Sequence, residues 1–206
     1  MLKLWGRVNS INVQKVLWAL EELKVPYERT DAGMAFGVVN EPFYKKMNPN
    51  SRVPTIDDDG FVLWESNAII RYLAAKRAAA SLWPDDLRIR AGADQWMDWQ
   101  QTMFWPAIRP LFMGLIRTAP DKRDARAMEE SRLKTAEVLR ILDSQLKSRA
   151  YVAGDALTLG DIPLGCAIWR WMALPIDRPE LPNVQRWFDS LARRPAYKTS
   201  VMLPLS

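Results

Sequence analysis

The stretch "NPNSRVPTIDDDGFVLWESNAII", Asn48 to Ile70, decides the fold. Two apolar segments, "VPTID" and "FVLWE", flank "DDDG". Asp-Gly tolerates the positive φ that a tight hairpin turn demands, so this pattern predicts a β-hairpin. Pro54 stands at the opening of the first strand, where its missing N–H is tolerated. Glu65 and Ser66 then precede an apolar run with helical spacing. A hydroxyl and a carboxylate at that place cap a helix and favour its dipole. The sequence therefore predicts a helix capped by Ser66 and running through Ala75.

Upstream, "LKLW" (residues 2–5) reads as a strand. From Asn12, the residues Val13, Val16, Leu17, Leu20 and Leu23 recur at helical spacing. "PYERTDA" reads as a second strand, and a short helix is expected near "EPFYKKM". The order is βαβ, then the hairpin, then a helix. Three small polar residues, Asn9, Ser10 and Asn12, sit where the first strand gives way to the first helix. They cap that helix or face a ligand, and both readings stay open at this point.

Downstream, "AAASLWPDD" reads as a linker, after which strand patterns cease. Helical stretches are expected over about 88–117, 124–148, 161–172 and 183–193, by their 3.6-residue periodicity. Pro106 and Pro110 should kink or divide the first of them. "TLGD", Thr158 to Asp161, has the form of a capping box. The expected organisation is α/β plus all-α, with one domain over 1–79 and a helical one over 87–206.

Composition removes several chemistries. The 206 residues contain no His and one Cys. Ser-His-Asp and Cys-His catalysis are excluded, as are most catalytic zinc sites, and no disulfide or CxxC pair can form within the chain. No metal ligand set is expected. Cys166 lies in the apolar "IPLGCAIWRW" and reads as a buried, inert thiol. The net charge is +5, yet bases alternate with acids in segments such as "KRDARAMEESRLK". That pattern argues against nucleic acid and leaves room for a small anionic ligand. No apolar run is long enough for a membrane span, and "MLKLWGRVNS" lacks the h-region of a secretory signal. A cytoplasmic protein is expected.

"SINVQKVLWALEEL", "NPNSRVPTI", "LWESNAIIRYL" and "LTLGDI", in this order and over nearly the whole chain, resemble the cytosolic glutathione transferase superfamily, in its bacterial theta-like or nu-like form. The resemblance implies a thioredoxin-like first domain with a cis-proline, carried here by Pro54, and a helical second domain. It implies a glutathione site: the Val53 backbone pairs with the cysteinyl part, Glu65 and Ser66 hold the γ-glutamyl end, and Arg52 faces the glycyl carboxylate. The residue types suit these tasks. Glu65 can take the ammonium, the Ser66 hydroxyl and helix N–H groups the carboxylate, and Arg52 a second anion. A peptide beside Val53 would pair like an added strand.

The family activates the thiol of glutathione with a residue after the first strand. A free thiol has a pKa of about 8.5, so little is thiolate at neutral pH. A hydroxyl donating to sulfur at a helix N-terminus stabilises the thiolate without any His. Ser10 matches the catalytic serine, and Asn12 is the alternative donor. Ser51 departs from the glycine common in this loop, which predicts an altered loop shape. "DAGMAFGVVNEP" is long and could cover the glutathione site, with Asn40 as a contact. The electrophile pocket is expected between the domains, with Phe104 and Arg109 as first candidates. Implied is a transferase acting on small hydrophobic electrophiles, as a homodimer. Two alternatives share the fold: a glutathione-dependent disulfide or peroxide reductase, and a non-catalytic partner-binding module.

Overall fold

A computed structural model describes residues 1–206. Four strands form one sheet: β1 (Leu2–Trp5), β2 (Tyr27–Thr30), β3 (Thr55–Asp58) and β4 (Phe61–Trp64), in the order β2-β1-β3-β4. β1 and β2 run parallel, and β3 is antiparallel to both β1 and β4. The hairpin forms as its turn signal predicts: Asp59 and Gly60 both take positive φ, 52° and 94°. α1 (Ile11–Glu22) crosses from β1 to β2, and parallel neighbours require such a crossover. It buries Val13, Val16, Leu17, Trp18 and Leu20. A short α2 (Pro42–Met47) precedes β3, and α3 (Ser66–Lys76) follows β4. Glu65, rather than Ser66, is the residue flanking α3, and it holds φ 71°. Ser66 therefore begins the helix instead of capping it.

The rest of the chain is helical. α4 (Leu87–Trp99) is capped by Asp86, whose carboxylate accepts from the N–H groups of Arg88 and Ile89. α4 does not break at the prolines. It widens into a π-helical segment, Gln100–Phe104, continues as α5 (Trp105–Phe112), and widens again at Met113–Arg117. Pro106 and Pro110 have no N–H to give to the preceding turn, and loosened turns are one way a helix absorbs that loss. α6 (Ala125–Leu146), α7 (Asp161–Ala173) and α8 (Pro182–Ala192) lie within a residue or two of the expected bounds. A last short helix, α9 (Pro195–Ser200), was not foreseen. No helix is long and apolar enough to cross a membrane.

One hydrophobic core runs through both halves, from Leu4 and Ile56 in the sheet to Leu139, Ile168 and Val201 among the helices. The seam lies along α1. Trp18 is fully buried and meets Tyr197 edge-on, with ring centroids 4.7 Å apart. A Cβ at Gly165 would come within 2.5 Å of the Trp18 ring, so α7 can approach only because that position is bare. The Tyr197 hydroxyl donates to the Gly165 carbonyl at 2.8 Å. Arg194 closes the edge with two hydrogen bonds to Glu22, both 2.7 Å.

The "TLGD" segment also organises the helical half, though not as a simple box. Asp161 is fully buried and accepts from Val152 N–H (3.0 Å), Thr158 N–H (2.9 Å), the Thr158 hydroxyl (3.2 Å) and Trp187 Nε1 (3.0 Å). Burial pushes its carboxyl up to about 6, against the opposing pull of these four donors.

Candidate active site

Register brings the site together at one end of the sheet. Trp5, Thr55 and Trp64 lie side by side, so the next residues outward are Gly6, Pro54 and Glu65. A Cβ at Gly6 would collide with Val13, 2.4 Å away, and its absence lets the β1–α1 loop fold tightly over the sheet end. The Val53–Pro54 bond is cis. The Arg52 carbonyl is held by the Tyr44 hydroxyl at 2.7 Å and by the Asn48 amide at 2.9 Å. Neither the N–H nor the C=O of Val53 bonds to any other backbone group of the chain. That pair is free to accept an added strand. Ser51 takes φ 52°, so the loop keeps a left-handed bend that glycine would adopt with less strain.

The small polar residues after β1 part company. Asn9 is tied down: its amide donates to the Ser206 hydroxyl at 2.7 Å. Ser10 flanks α1 with extended backbone, and its hydroxyl makes no capping hydrogen bond. Ser10 and Asn12 both line a cavity of about 350 Å³ that also reaches Arg52, Val53 and Arg109. The Ser10 hydroxyl is therefore not spent on capping the helix.

Four expected residues sit elsewhere. Phe104 is fully buried and packs near Trp99, with ring centroids 6.2 Å apart, so it belongs to the core rather than the cavity wall. Trp105 and Phe112 line the wall instead. The widened turn Gln100–Phe104 shifts the register of the helix, and this shift was invisible in a strict 3.6-residue pattern. Asn40 is exposed and outside the lining, although its neighbour Val39 and, further back, Met34 do reach the cavity from the same loop. Glu65 and Ser66 stand beyond the cavity's lining, next to Pro54 across the sheet end. Ser66 is buried and Glu65 exposed.

Sequence reasoning missed the charge of this cavity. Arg7, Arg117 and Arg170 line it together with Arg52 and Arg109, and no acidic residue does. Arg170 donates to Gln14 Oε1 and to the Cys166 carbonyl, both at 2.8 Å, and its Nε is buried without a partner. Burial, with a smaller contribution from the Arg117 charge, pushes its guanidinium down to about 10. Arg7 is likewise lowered by burial and by Arg117. Only "IWRW", an arginine inside an apolar helix, offered a signal in the sequence. Behind this wall, burial pushes the Cys166 thiol up to about 12, which leaves it unreactive near neutral pH. No cluster of His, Cys, Asp or Glu suited to a metal is present.

A four-stranded β2-β1-β3-β4 sheet with a cis-proline before β3, joined to an all-helical half, defines a thioredoxin-like fold with a helical second domain, and comparison with known families places the chain more closely. The family model described as "Glutathione S-transferase, N-terminal domain" matches residues 1–75, and that described as "Glutathione S-transferase, C-terminal domain" matches residues 100–195. The chain belongs to the glutathione S-transferase family. It is 42% identical over 208 residues to glutathione S-transferase GstB of Escherichia coli, covering 100% of both chains. It is 33% identical to glutathione S-transferase 3 of Zea mays, covering 99% of this chain and 95% of that one. Among solved structures, the theta class glutathione S-transferase of Xanthomonas axonopodis pv. citri, with glutathione bound, superposes with a TM-score of 0.96 at 44% identity. That match covers 100% of this chain and 99% of the other.

Proposed function

We propose that the protein is a glutathione transferase, in which residues 1–79 hold glutathione, residues 87–206 supply the other wall, and the Ser10 hydroxyl stabilises the thiolate. The observation that carries this reading is the uncommitted Ser10 hydroxyl, at the positive end of α1, in a cavity shared with the open Val53 backbone. Val53 takes the cysteinyl part, Glu65 the γ-glutamyl ammonium, Ser66 its carboxylate and Arg52 the glycyl carboxylate. The thiolate then attacks an electrophilic carbon and expels the leaving group. Work in the cytoplasm, as a detoxifying step, fits this chemistry; cell fractionation that recovers the protein with the envelope would count against that location.

Titration calorimetry with glutathione, followed by assay with an aryl halide, a hydroperoxide and a mixed disulfide, tests the reading. Heat of binding and turnover of the aryl halide are expected. Absence of binding would support a partner-binding module, and turnover of the disulfide alone would support a reductase. Glu65→Ala should weaken glutathione binding by about 1–3 kcal/mol, the range for a lost charged hydrogen bond. Unchanged affinity in a folded variant would remove Glu65 from the site.

A homodimer is also expected. Phe61, Trp64 and Met103 are large apolar residues left exposed, and such surface is costly unless covered. Sedimentation at micromolar concentration should give twice the 23.7 kDa chain mass; a 23.7 kDa species would overturn the dimer.

A further inference from the structure

We propose that the electrophile bound beside Ser10 carries an anionic group, a carboxylate in the simplest case, on an apolar or aromatic body; this rests on the transferase reading above. Trp105, Arg109 and Phe112 stand at i, i+4 and i+7, on one face of α5, and all three line the cavity. After Phe112 the helix widens, and the residue that follows on this face is Arg117, not Ile116. Arg117 lies over the Phe112 ring at 5.3 Å and lines the cavity. Arg170 meets the same ring at 5.4 Å. Arg7 completes the group from the β1–α1 loop.

None of these four arginines pairs with an Asp or Glu side chain, whereas Arg29, Arg71, Arg90, Arg126, Arg132 and Arg194 each do. Arg117 donates from Nε and one terminal nitrogen to the Ser206 backbone oxygen, at 3.3 and 3.0 Å, while Arg7, Arg109 and Arg170 have no carboxylate partner of any kind. The Nε atoms of Arg7 and Arg170 are buried with no partner at all, and Arg170 is only 2% exposed. Like charges gathered in a partly buried cleft repel one another and lack the water that would screen them. Such a cluster is stabilised by an anion. Glutathione does not account for it: its glycyl carboxylate goes to Arg52, its γ-glutamyl end lies towards Glu65 and Ser66, and its thiolate is a single charge at Ser10. The remaining positive charge faces the space left for the second substrate. Trp105 and Phe112 offer that substrate an aromatic wall, and the guanidinium fork of Arg109 or Arg117 suits a carboxylate.

A matched pair of aryl chlorides tests this: 4-chloro-3-nitrobenzoate and its neutral amide, 4-chloro-3-nitrobenzamide. In each, sulfur forms a bond to the ring carbon and chloride leaves with the bonding electrons. Each rate is divided by the rate with free glutathione at the same pH, which removes the difference in ring activation. The benzoate should be preferred by roughly ten- to a hundredfold in kcat/KM, the range for a charged hydrogen bond. Salt should reduce the preference by screening. Arg109→Gln and Arg117→Gln should each lower the benzoate-to-benzamide ratio several-fold, and Arg→Lys at either position should restore much of it. A second arm reads binding alone. In the glutathione-saturated protein, calorimetry should show unreactive 4-nitrobenzoate binding more tightly than 4-nitrobenzamide. Preferred binding of the anion without turnover of either chloride would overturn the transferase reading and keep the anion pocket. Turnover with no preference for the benzoate, or a ratio unmoved in both Gln variants, would overturn the anion pocket and keep the transferase.

Discussion

Replacing Asp161 with alanine should destabilise the protein by about 3–5 kcal/mol at pH 7, since several buried donors lose their acceptor at about 1–3 kcal/mol each. The substitution leaves two backbone N–H groups, a hydroxyl and an indole N–H buried with no acceptor. Each stranded donor is itself costly, so the loss exceeds that of an ordinary helix cap. The sign of the pH dependence follows from burial. The carboxyl sits at about 6 in the fold, above its usual 3.8. The proton-linked part of its contribution to stability is therefore fully present below 3.8 and is lost as pH rises through about 6, while the acceptor role for the four donors persists at pH 7. The gap between the native protein and Asp161→Ala should widen as pH falls from 6 towards 4. Urea denaturation at several pH values measures it. A deficit below about 1 kcal/mol, the level of a single exposed cap, would mean that the network relaxes around the alanine. A gap that narrows towards pH 4 would mean that the four donors outweigh burial.

Ser10→Ala should raise the pKa of the bound glutathione thiol by one or more units, with each unit corresponding to about 1.4 kcal/mol. Turnover near neutral pH should fall about tenfold or more and recover in part at high pH, where the thiolate forms without help. Glutathione affinity should change little, since the proposed clamp at Arg52, Glu65 and Ser66 is separate from Ser10. Asn12→Ala is the control, because its amide faces the same cavity. Ultraviolet titration of the bound thiolate discriminates the two. A shift in Asn12→Ala alone would transfer the role to Asn12. No shift in either would assign it to the helix N–H groups and the surrounding guanidinium charge.

Local chemistry made most of the fold readable. Asp59-Gly60 fixed the hairpin because few other residue pairs accept two positive φ angles. Apolar spacing marked α1, α6, α7 and α8, whose buried faces repeat every three or four residues. α9 escaped because six residues carry too little periodicity to notice. Around the cavity, the positions of Ser10 and of the Val53–Pro54 turn were legible as ordered motifs, close in sequence to the strands that position them. The arginines were not. Arg7 and Arg170 line one cavity only because α7 folds back on the β1–α1 loop, where Arg170 reaches the Asn9 carbonyl across 161 positions of chain. Phe104 was misplaced for a related reason: a widened helical turn rotates every later side chain, and the sequence marks the nearby prolines without giving the size of the rotation.

The bare Gly165, pressed against the Trp18 ring, has an implication for engineering by recombination. A glycine there and an indole opposite are a lock and key cut from distant parts of the chain. Grafting the helical half of a relative onto this sheet would bring a mismatched key unless residues 18, 165 and 197 travelled together. Chimaeras exchanged at the linker should therefore tolerate divergence almost anywhere on their outer faces and fail first along α1. The transferable unit is the seam, not either half.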